Sequence, residues 1–287
     1  MKGSLVAIVT PMHDDGAVDY QSFNKLIQFH EEQGTDGIVL VGTTGESATL
    51  SSVERGQIFS FARKATTLPL MAGVGSSSTK DATSLIDIAL KNGIGDCLAV
   101  TPYYNRPSQK GLFLHYKELA KTDAQIFLYN VPGRTGVDLL PSTVNQLMDI
   151  ENIVGLKEAV ATNERFDELS NLLNKNSDFL MFSGDDPTFV QFMELGGVGV
   201  ISVAANVIPK QIKDLCDMCL SGDFSNANQS VEKYLKIFEL LFIEASPSPC
   251  KYLLEKKGLV KNNLRLPLHP LSEEYKQTID LAYEVIA

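Results

Sequence analysis

Short apolar runs alternate with longer segments of helical period along most of this chain. One such helical segment spans residues 20–33, where Phe23, Leu26, Ile27 and His30 recur at helical spacing. Strands that alternate with helices are typical of a parallel sheet joined by crossover helices. The eight candidate strands are residues 5–10, 37–42, 70–74, 97–101, 126–130, 153–157, 179–183 and 199–203.

The number of repeated units favours one architecture. Eight strand–helix units over about 220 residues fit a closed (β/α)8 barrel, the TIM barrel, better than an open doubly wound sheet, which is the second choice. After Gly222 the strand signal stops, and residues 224–243, 249–257 and 272–286 predict helices. We therefore expect an α/β protein with a barrel over residues 1–222 that carries the active site, and a C-terminal helical region over 223–287.

Charge, apolar content and cysteine content limit the classes of function open to this chain. The formal net charge of −10 leaves no basic face for nucleic acid or anionic membranes. No apolar stretch approaches the ~20 residues of a membrane helix. The four cysteines are too few and scattered for a disulfide framework, so we expect reduced thiols. These features predict a cytoplasmic enzyme that acts on a small molecule.

The unusual polar residues cluster where predicted strands end. In a (β/α)8 barrel, the carboxyl ends of the strands carry the active site. Five of the eight candidate strands end in such clusters. These are residues 42–46, 101–105, 129–135, 157–158 and 183–186.

Lys157 is the strongest single candidate. It ends an apolar strand and, by alternation, shares a face with Gly155, whose missing side chain leaves room inside a barrel. Burial favours the neutral amine, which can attack a carbonyl. Alternatively, Lys157 extends to solvent or pairs with Glu158.

Other candidates surround this lysine. Tyr129 ends the adjacent strand, and its hydroxyl can relay protons, although a strand tyrosine is often a packing residue. Thr43 and Thr44 stand between glycines, as turn residues or as ligands of a carboxylate. Arg134 offers a fork of donors to a carboxylate, or is a solvated surface residue. Tyr104 is more typical of an interface or a packing contact.

Six ordered motifs together resemble a known family. They are AIVTP at 7–11, GTTGES at 42–47, TPYYNRP at 101–107, YNVPGRTG at 129–136, GLKE at 155–158 and SGDD at 183–186. Over essentially its whole length, the chain resembles the dihydrodipicolinate synthases, a branch of the lysine-dependent, pyruvate-handling class I aldolase-like enzymes that includes N-acetylneuraminate lyase. These enzymes are also called 4-hydroxy-tetrahydrodipicolinate synthases.

The resemblance implies a reaction and a role for each site residue. Lys157 forms a Schiff base with pyruvate, and the enamine condenses with L-aspartate 4-semialdehyde to give 4-hydroxy-tetrahydrodipicolinate in lysine and diaminopimelate biosynthesis. Thr44 holds the pyruvate carboxylate, and Arg134 holds the carboxylate of the aldehyde. The proton relay consists of Tyr129, Thr43 and Tyr104 from a neighbouring subunit, and backbone groups of Gly184 and Ile201 line the pyruvate pocket.

The resemblance also bears on assembly and regulation. It implies a homotetramer built as a dimer of dimers, and it requires no metal or organic cofactor. Ser52, Arg55 and Asp81 stand where relatives inhibited by lysine often carry histidine and glutamate. This departure argues against inhibition by lysine.

The same residues are also compatible with other functions. A sibling aldolase, such as an N-acetylneuraminate lyase or a keto-deoxy sugar-acid aldolase, shares the lysine and the tyrosine; Arg134 in its loop favours the synthase. A non-catalytic barrel could bind an anion at the glycine-rich segment 73–78, which lacks the third glycine of a dinucleotide fingerprint. The histidines are too dispersed to indicate a metal site.

Overall fold

The structure is a computed structural model that describes residues 1–286. Eight parallel strands close into a barrel in chain order, and the last strand pairs with the first at Leu5 and Ile201. The closure confirms the predicted (β/α)8 fold over the open sheet. The strands are β1 (Gly3–Ala7), β2 (Gly37–Leu40), β3 (Leu70–Gly73), β4 (Asp96–Val100), β5 (Gln125–Asn130), β6 (Ile153–Glu158), β7 (Leu180–Ser183) and β8 (Gly199–Ser202).

Helix starts follow local capping chemistry. Ser51 and Glu54 form a capping box, and the side chains of Asp19, Ser78 and Thr162 each accept a hydrogen bond from a backbone N–H of the first turn. The helices are α1 (Tyr20–Glu32), α2 (Ser52–Ala65), α3 (Thr79–Lys91), α4 (Gln109–Leu119), α5 (Pro132–Thr135), α6 (Pro141–Leu147), α7 (Asn163–Leu173), α8 (Phe189–Glu194), α9 (Pro209–Leu220), α10 (Phe224–Val231), α11 (Leu235–Leu240), α12 (Ser248–Lys256) and α13 (Glu273–Glu284).

Strand alternation divides the buried residues into two layers. One set of side chains fills the barrel interior, and a larger set packs between the strands and the surrounding helices. Gly155 makes the interior possible, because a Cβ there would lie 2.5 Å from both the Leu180 carbonyl oxygen and the Phe127 ring. The predicted room beside Gly155 is therefore occupied by Phe127. The interior residues are Leu5, Ala7, Val39, Met71, Leu98, Phe127, Tyr129, Phe182 and Ile201.

Two predicted segments differ most from the structure. Strand β1 begins at Gly3 and ends at Ala7, because the Val9 amide donates to the Asn206 side chain, 3.1 Å away, instead of joining the ladder. The continuous helix predicted over 224–243 is wrong, since a 3-10 turn over Glu232–Tyr234 separates α10 from α11. Such a tight turn changes the direction of the buried face.

The glycine-rich segment 73–78 is explained by packing. A Cβ on Gly73 would lie 2.3 Å from the Val41 carbonyl oxygen, and one on Gly75 would lie 2.7 Å from the Val100 nitrogen. Both glycines therefore permit the backbones of neighbouring strands and loops to approach closely.

Cys97, Cys216, Cys219 and Cys250 are buried and free of disulfides, as expected. Burial raises the pKa of Cys97 to about 12 and that of Cys219 to about 11, so both thiols are protonated at neutral pH. Within residues 1–286, no helix combines the length and apolar character needed to cross a membrane.

Candidate active site

Lys157 and Tyr129 lie side by side at the carboxyl end of the barrel. They are register partners on β6 and β5, and the Lys157 Nζ lies 4.4 Å from the centroid of the Tyr129 ring. Lys157 is 6% exposed and Tyr129 is 7% exposed. Lys157 thus points into the barrel mouth, away from Glu158, which pairs with Arg165 instead. The orientation predicted from alternation is confirmed.

A cavity of about 510 Å³ opens above this pair. It brings together six of the eight predicted site residues. The two others lie elsewhere: Ile201 packs inside the barrel, and Tyr104 is on the surface. The six are Thr43, Thr44, Tyr129, Arg134, Lys157 and Gly184.

Gly184 leaves space for the lysine stem. A Cβ at this position would lie 2.9 Å from the Lys157 Cε and 3.1 Å from the Glu158 carbonyl oxygen. The Gly184 amide also donates to that carbonyl oxygen over 2.6 Å. Any larger residue would therefore displace either the strand end or Lys157 itself.

The threonine loop is held by a buried ion pair. Glu46, in the left-handed region at φ 57°, donates its amide to the Thr43 carbonyl oxygen. Its carboxylate accepts hydrogen bonds from Lys251 Nζ at 2.5 Å and from the Arg265 amide at 3.1 Å. The side chains of Glu46 and Lys251 are both 0% exposed. Burial lowers the pKa of Lys251, and the Glu46 carboxylate opposes that change.

Arg134 lies at the rim of the cavity. It sits in the single helical turn α5, whose Arg134 amide donates to the Val131 carbonyl oxygen at 2.9 Å. An open surface depression beside it is lined by Tyr103, Tyr104 and Arg106. Tyr104 is 94% exposed and has a φ of 74°, so the loop presents this ring outward.

The second of the two acidic residues after β7 binds the backbone, whereas the first, Asp185, lines the cavity. Asp186 is buried, and its carboxylate accepts hydrogen bonds from the amides of Val203 and Ala204 at 3.1 and 2.9 Å. Burial raises the pKa of Asp186. Its visible role is to join the ends of β7 and β8.

The sequence prediction missed one wall of the cavity. Phe238, Glu239, Phe242 and Ser246 line it from the C-terminal region. The apolar spacing of this segment predicts a helix but does not show what the helix covers. Only the tertiary fold places it over the barrel mouth.

The fold and the site define a class: (β/α)8 barrels that present a buried lysine amine in a cavity at the carboxyl ends of the strands. Residues 1–284 match the Dihydrodipicolinate synthetase family. The chain belongs to that family.

Named relatives agree with this assignment. The chain is 49% identical over 279 residues to a 4-hydroxy-tetrahydrodipicolinate synthase from Shewanella pealeana, which covers 95% of this chain and 94% of the relative. It is 44% identical over 287 residues to the enzyme of the same name from Buchnera aphidicola subsp. Schizaphis graminum, with 99% and 97% covered.

Solved structures show the same similarity. The chloride-inhibited dihydrodipicolinate synthase from Acinetobacter baumannii, complexed with pyruvate, has a TM-score of 0.95 and 42% identity, with 99% of this chain and 98% of that chain covered. A monomeric dihydrodipicolinate synthase variant has a TM-score of 0.96 and 38% identity, with 99% and 96% covered.

Proposed function

We propose that this protein condenses pyruvate with L-aspartate 4-semialdehyde to give 4-hydroxy-tetrahydrodipicolinate, and that Lys157 carries the reaction as a Schiff base. The central observation is the buried Lys157 amine in a cavity, 4.4 Å from the Tyr129 ring centroid. The names of the relatives at 49% and 44% identity support the choice of substrates.

The chemistry follows from an amine held in a cavity. The Lys157 nitrogen attacks the keto carbon of pyruvate, and loss of water gives a protonated imine. This imine accepts the electron pair when a methyl proton leaves, so that an enamine forms. The enamine carbon attacks the aldehyde carbon, and the aldehyde oxygen takes up a proton. The amino group of the adduct then attacks the imine carbon, closes the ring and releases Lys157.

The remaining side chains bind the substrates and move protons. We assign Thr44 to the pyruvate carboxylate and Arg134 to the carboxylate of the aldehyde, because both side chains line the cavity. Tyr129 and Thr43 line the same cavity and can carry protons to and from the reacting atoms. Backbone groups of Gly184, and of Ile201 at the end of β8, complete our assignment for pyruvate.

The relay also requires a second subunit in this proposal. Tyr104 is 94% exposed on the loop after β4 and lies beside the Arg134 loop, so it can reach a neighbouring molecule. We assign the protein a dimer of dimers in which Tyr104 completes the neighbour's site. Analytical ultracentrifugation tests this assembly; a catalytically competent monomer would contradict it.

We also assign the protein to the cytoplasm. The four buried, free cysteines fit a reducing compartment. Fractionation of source cells, with the protein detected by antibody, tests this location. Recovery outside the cytoplasmic fraction would contradict it.

Trapping tests the central step. Pyruvate and borohydride should convert the imine to a stable amine, and mass spectrometry should find the adduct on the peptide that contains Lys157. The Lys157→Arg variant is the control and should gain no adduct. Absence of an adduct on the parent protein would favour a non-catalytic anion-binding barrel.

Turnover then separates the synthase from its siblings. Aspartate semialdehyde should be consumed with pyruvate, whereas N-acetylneuraminate should not be cleaved. The Arg134→Ala variant should lose more of the aldehyde half-reaction than of imine formation, because Arg134 is exposed at the rim of the cavity whereas Lys157 is buried. Equal loss in both steps would contradict its role.

A further inference from the structure

A polar cluster, buried except for one partly exposed carboxylate, lies on the outer face of the barrel directly behind the site. We call Asn130, Asp138, Glu158 and Arg165 the outer clamp. Asn130 and Glu158 are register partners, one position beyond the partners Tyr129 and Lys157. Alternation therefore turns one pair toward the cavity and the next pair away from it.

Glu158 is the centre of the outer clamp. Its carboxylate accepts hydrogen bonds from Asn130 Nδ2 at 3.0 and 3.1 Å, from Arg165 Nη1 at 2.8 Å and from the Val160 amide at 2.7 Å. Every partner is a donor, and Glu158 is 2% exposed. The end of β6 is thereby bound to the end of β5 and to α7.

Asp138 extends the outer clamp to the loop that carries Arg134. Its carboxylate accepts hydrogen bonds from Asn130 Nδ2 at 2.7 Å and from Arg165 Nη2 at 2.6 Å. The Asn130 side-chain oxygen accepts one from the Leu139 amide at 2.9 Å. The loop between Asn130 and Leu139 is therefore closed on both sides by the same side chains.

The charges of the outer clamp contribute more to the orientation of the strand ends than to the stability of the fold. Burial raises the pKa of Glu158, and the Arg165 guanidinium opposes that rise. A buried ion pair often contributes little net stability compared with apolar residues of similar volume, because both charges lose hydration. The ion pairs instead fix the relative positions of Glu158 and Asp138, since the planar guanidinium of Arg165 binds both carboxylates in a defined geometry.

We propose that the outer clamp positions Lys157, Tyr129 and Arg134 relative to one another. The inference rests on the proposed function. The four residues of the outer clamp are positioning residues, because none of them lines the cavity. Glu158 and Asn130 set the alignment of the amine with the phenol, and Asp138 sets the place of the Arg134 loop.

Glu158→Gln is the sharpest test of alignment. The amide has nearly the same shape, but its NH2 group would face a donor. Trapping at saturating pyruvate, normalised to folded protein, gives an amplitude and a rate constant. Misalignment predicts a rate constant lower by up to about 100-fold, the scale of loss for a ~1 Å displacement of reacting groups. A purely structural role predicts a smaller amplitude with an unchanged rate constant, which would overturn the proposal.

Asp138→Asn tests the proposed effect of the outer clamp on the Arg134 loop. Because Asp138 is partly exposed, this variant should fold even if Glu158→Gln does not. We expect a higher KM for aspartate semialdehyde and a nearly unchanged rate of imine formation. An unchanged KM would overturn the assigned role of Asp138.

Lys213→Met is the matched control. Lys213 pairs with Asp36 at 3.5 Å near the opposite end of the barrel, so its loss should lower stability without changing the trapping rate constant. An equal slowing in this variant would overturn the proposal. If the parent protein itself gains no adduct, the proposed function fails; if it gains one and the variants match it, only the outer clamp fails.

Discussion

The Lys157 amine faces the ring of Tyr129 at 4.4 Å because strand pairing sets the two residues opposite each other. The backbone ladder of β5 and β6 therefore fixes their spacing before any substrate binds. A preorganised pair of this kind avoids the cost of aligning the groups during the reaction.

Replacing Tyr129 with Phe should slow turnover by about 10²- to 10⁴-fold, the usual contribution of a proton-transferring group. The ring would still pack, so the melting temperature should change little. Tyr116→Phe is the matched control: its hydroxyl donates to the Ala99 carbonyl oxygen, away from the cavity, so stability should fall slightly and turnover should persist. Steady-state assays and calorimetry check both; comparable turnover in the two variants would exclude the relay.

Gly184→Ala should slow imine formation, since the new methyl group would lie 2.9 Å from the Lys157 Cε. The expected loss in the trapping rate is up to about 100-fold. Gly95→Ala provides the comparison, because a Cβ there meets no atom within 4 Å. If both variants trap pyruvate at the parent rate, the tight approach at Gly184 has no catalytic consequence.

Lys251→Met should destabilise the fold by about 3–5 kcal/mol, because it leaves the buried Glu46 carboxylate without its partner. Lys256→Met, on the same helix, removes a pair with Asp280 at the surface and should cost no more than about 1 kcal/mol. Urea unfolding measures both values. Equal losses would mean that the Lys251 charge is not needed to compensate Glu46.

Two buried histidines predict a loss of stability in acid. Burial lowers the pKa of His115 to about 4 and that of His30 to about 3. The unfolded chain binds these protons near pH 6.5, so unfolding takes up protons below that value and stability falls as the pH decreases.

His115→Asn should therefore reduce the slope of stability against pH by about 1 kcal/mol per pH unit between about pH 6 and pH 4.5. Urea titrations across this range measure it. His269→Asn changes an exposed side chain and serves as the control. An identical slope for parent and His115→Asn would refute the prediction.

The barrel could be predicted well from the sequence, because the spacing of apolar residues distinguishes its strands from its helices. Helix α3 begins and ends where predicted, at Thr79 and Lys91, since Ser78 caps it and its apolar stripe is regular. The limits of β1 were less predictable, because the Asn206 side chain, far along the chain, satisfies Val9 in place of a neighbouring strand.

The inward-facing site residues could also be predicted, since alternation along a strand assigns Lys157 and Tyr129 to one face. The outer clamp and the Lys251 pair could not. Lys251 looks like an ordinary charged residue of an amphipathic helix, and its burial depends on contact with Glu46, 205 positions earlier. The spacing of apolar residues within a short segment carries no information on a contact between residues so far apart in the sequence.

The separation between Glu46 and Lys251 also orders events during translation. The ribosome releases the barrel strands first, while the segment that braces the threonine loop and walls the cavity is still inside the exit tunnel or not yet made. A nascent chain with every strand complete therefore lacks a finished pocket. The pocket is complete only after Lys251 in α12 has been made, because chains that end before this residue lack the ion pair that braces the threonine loop.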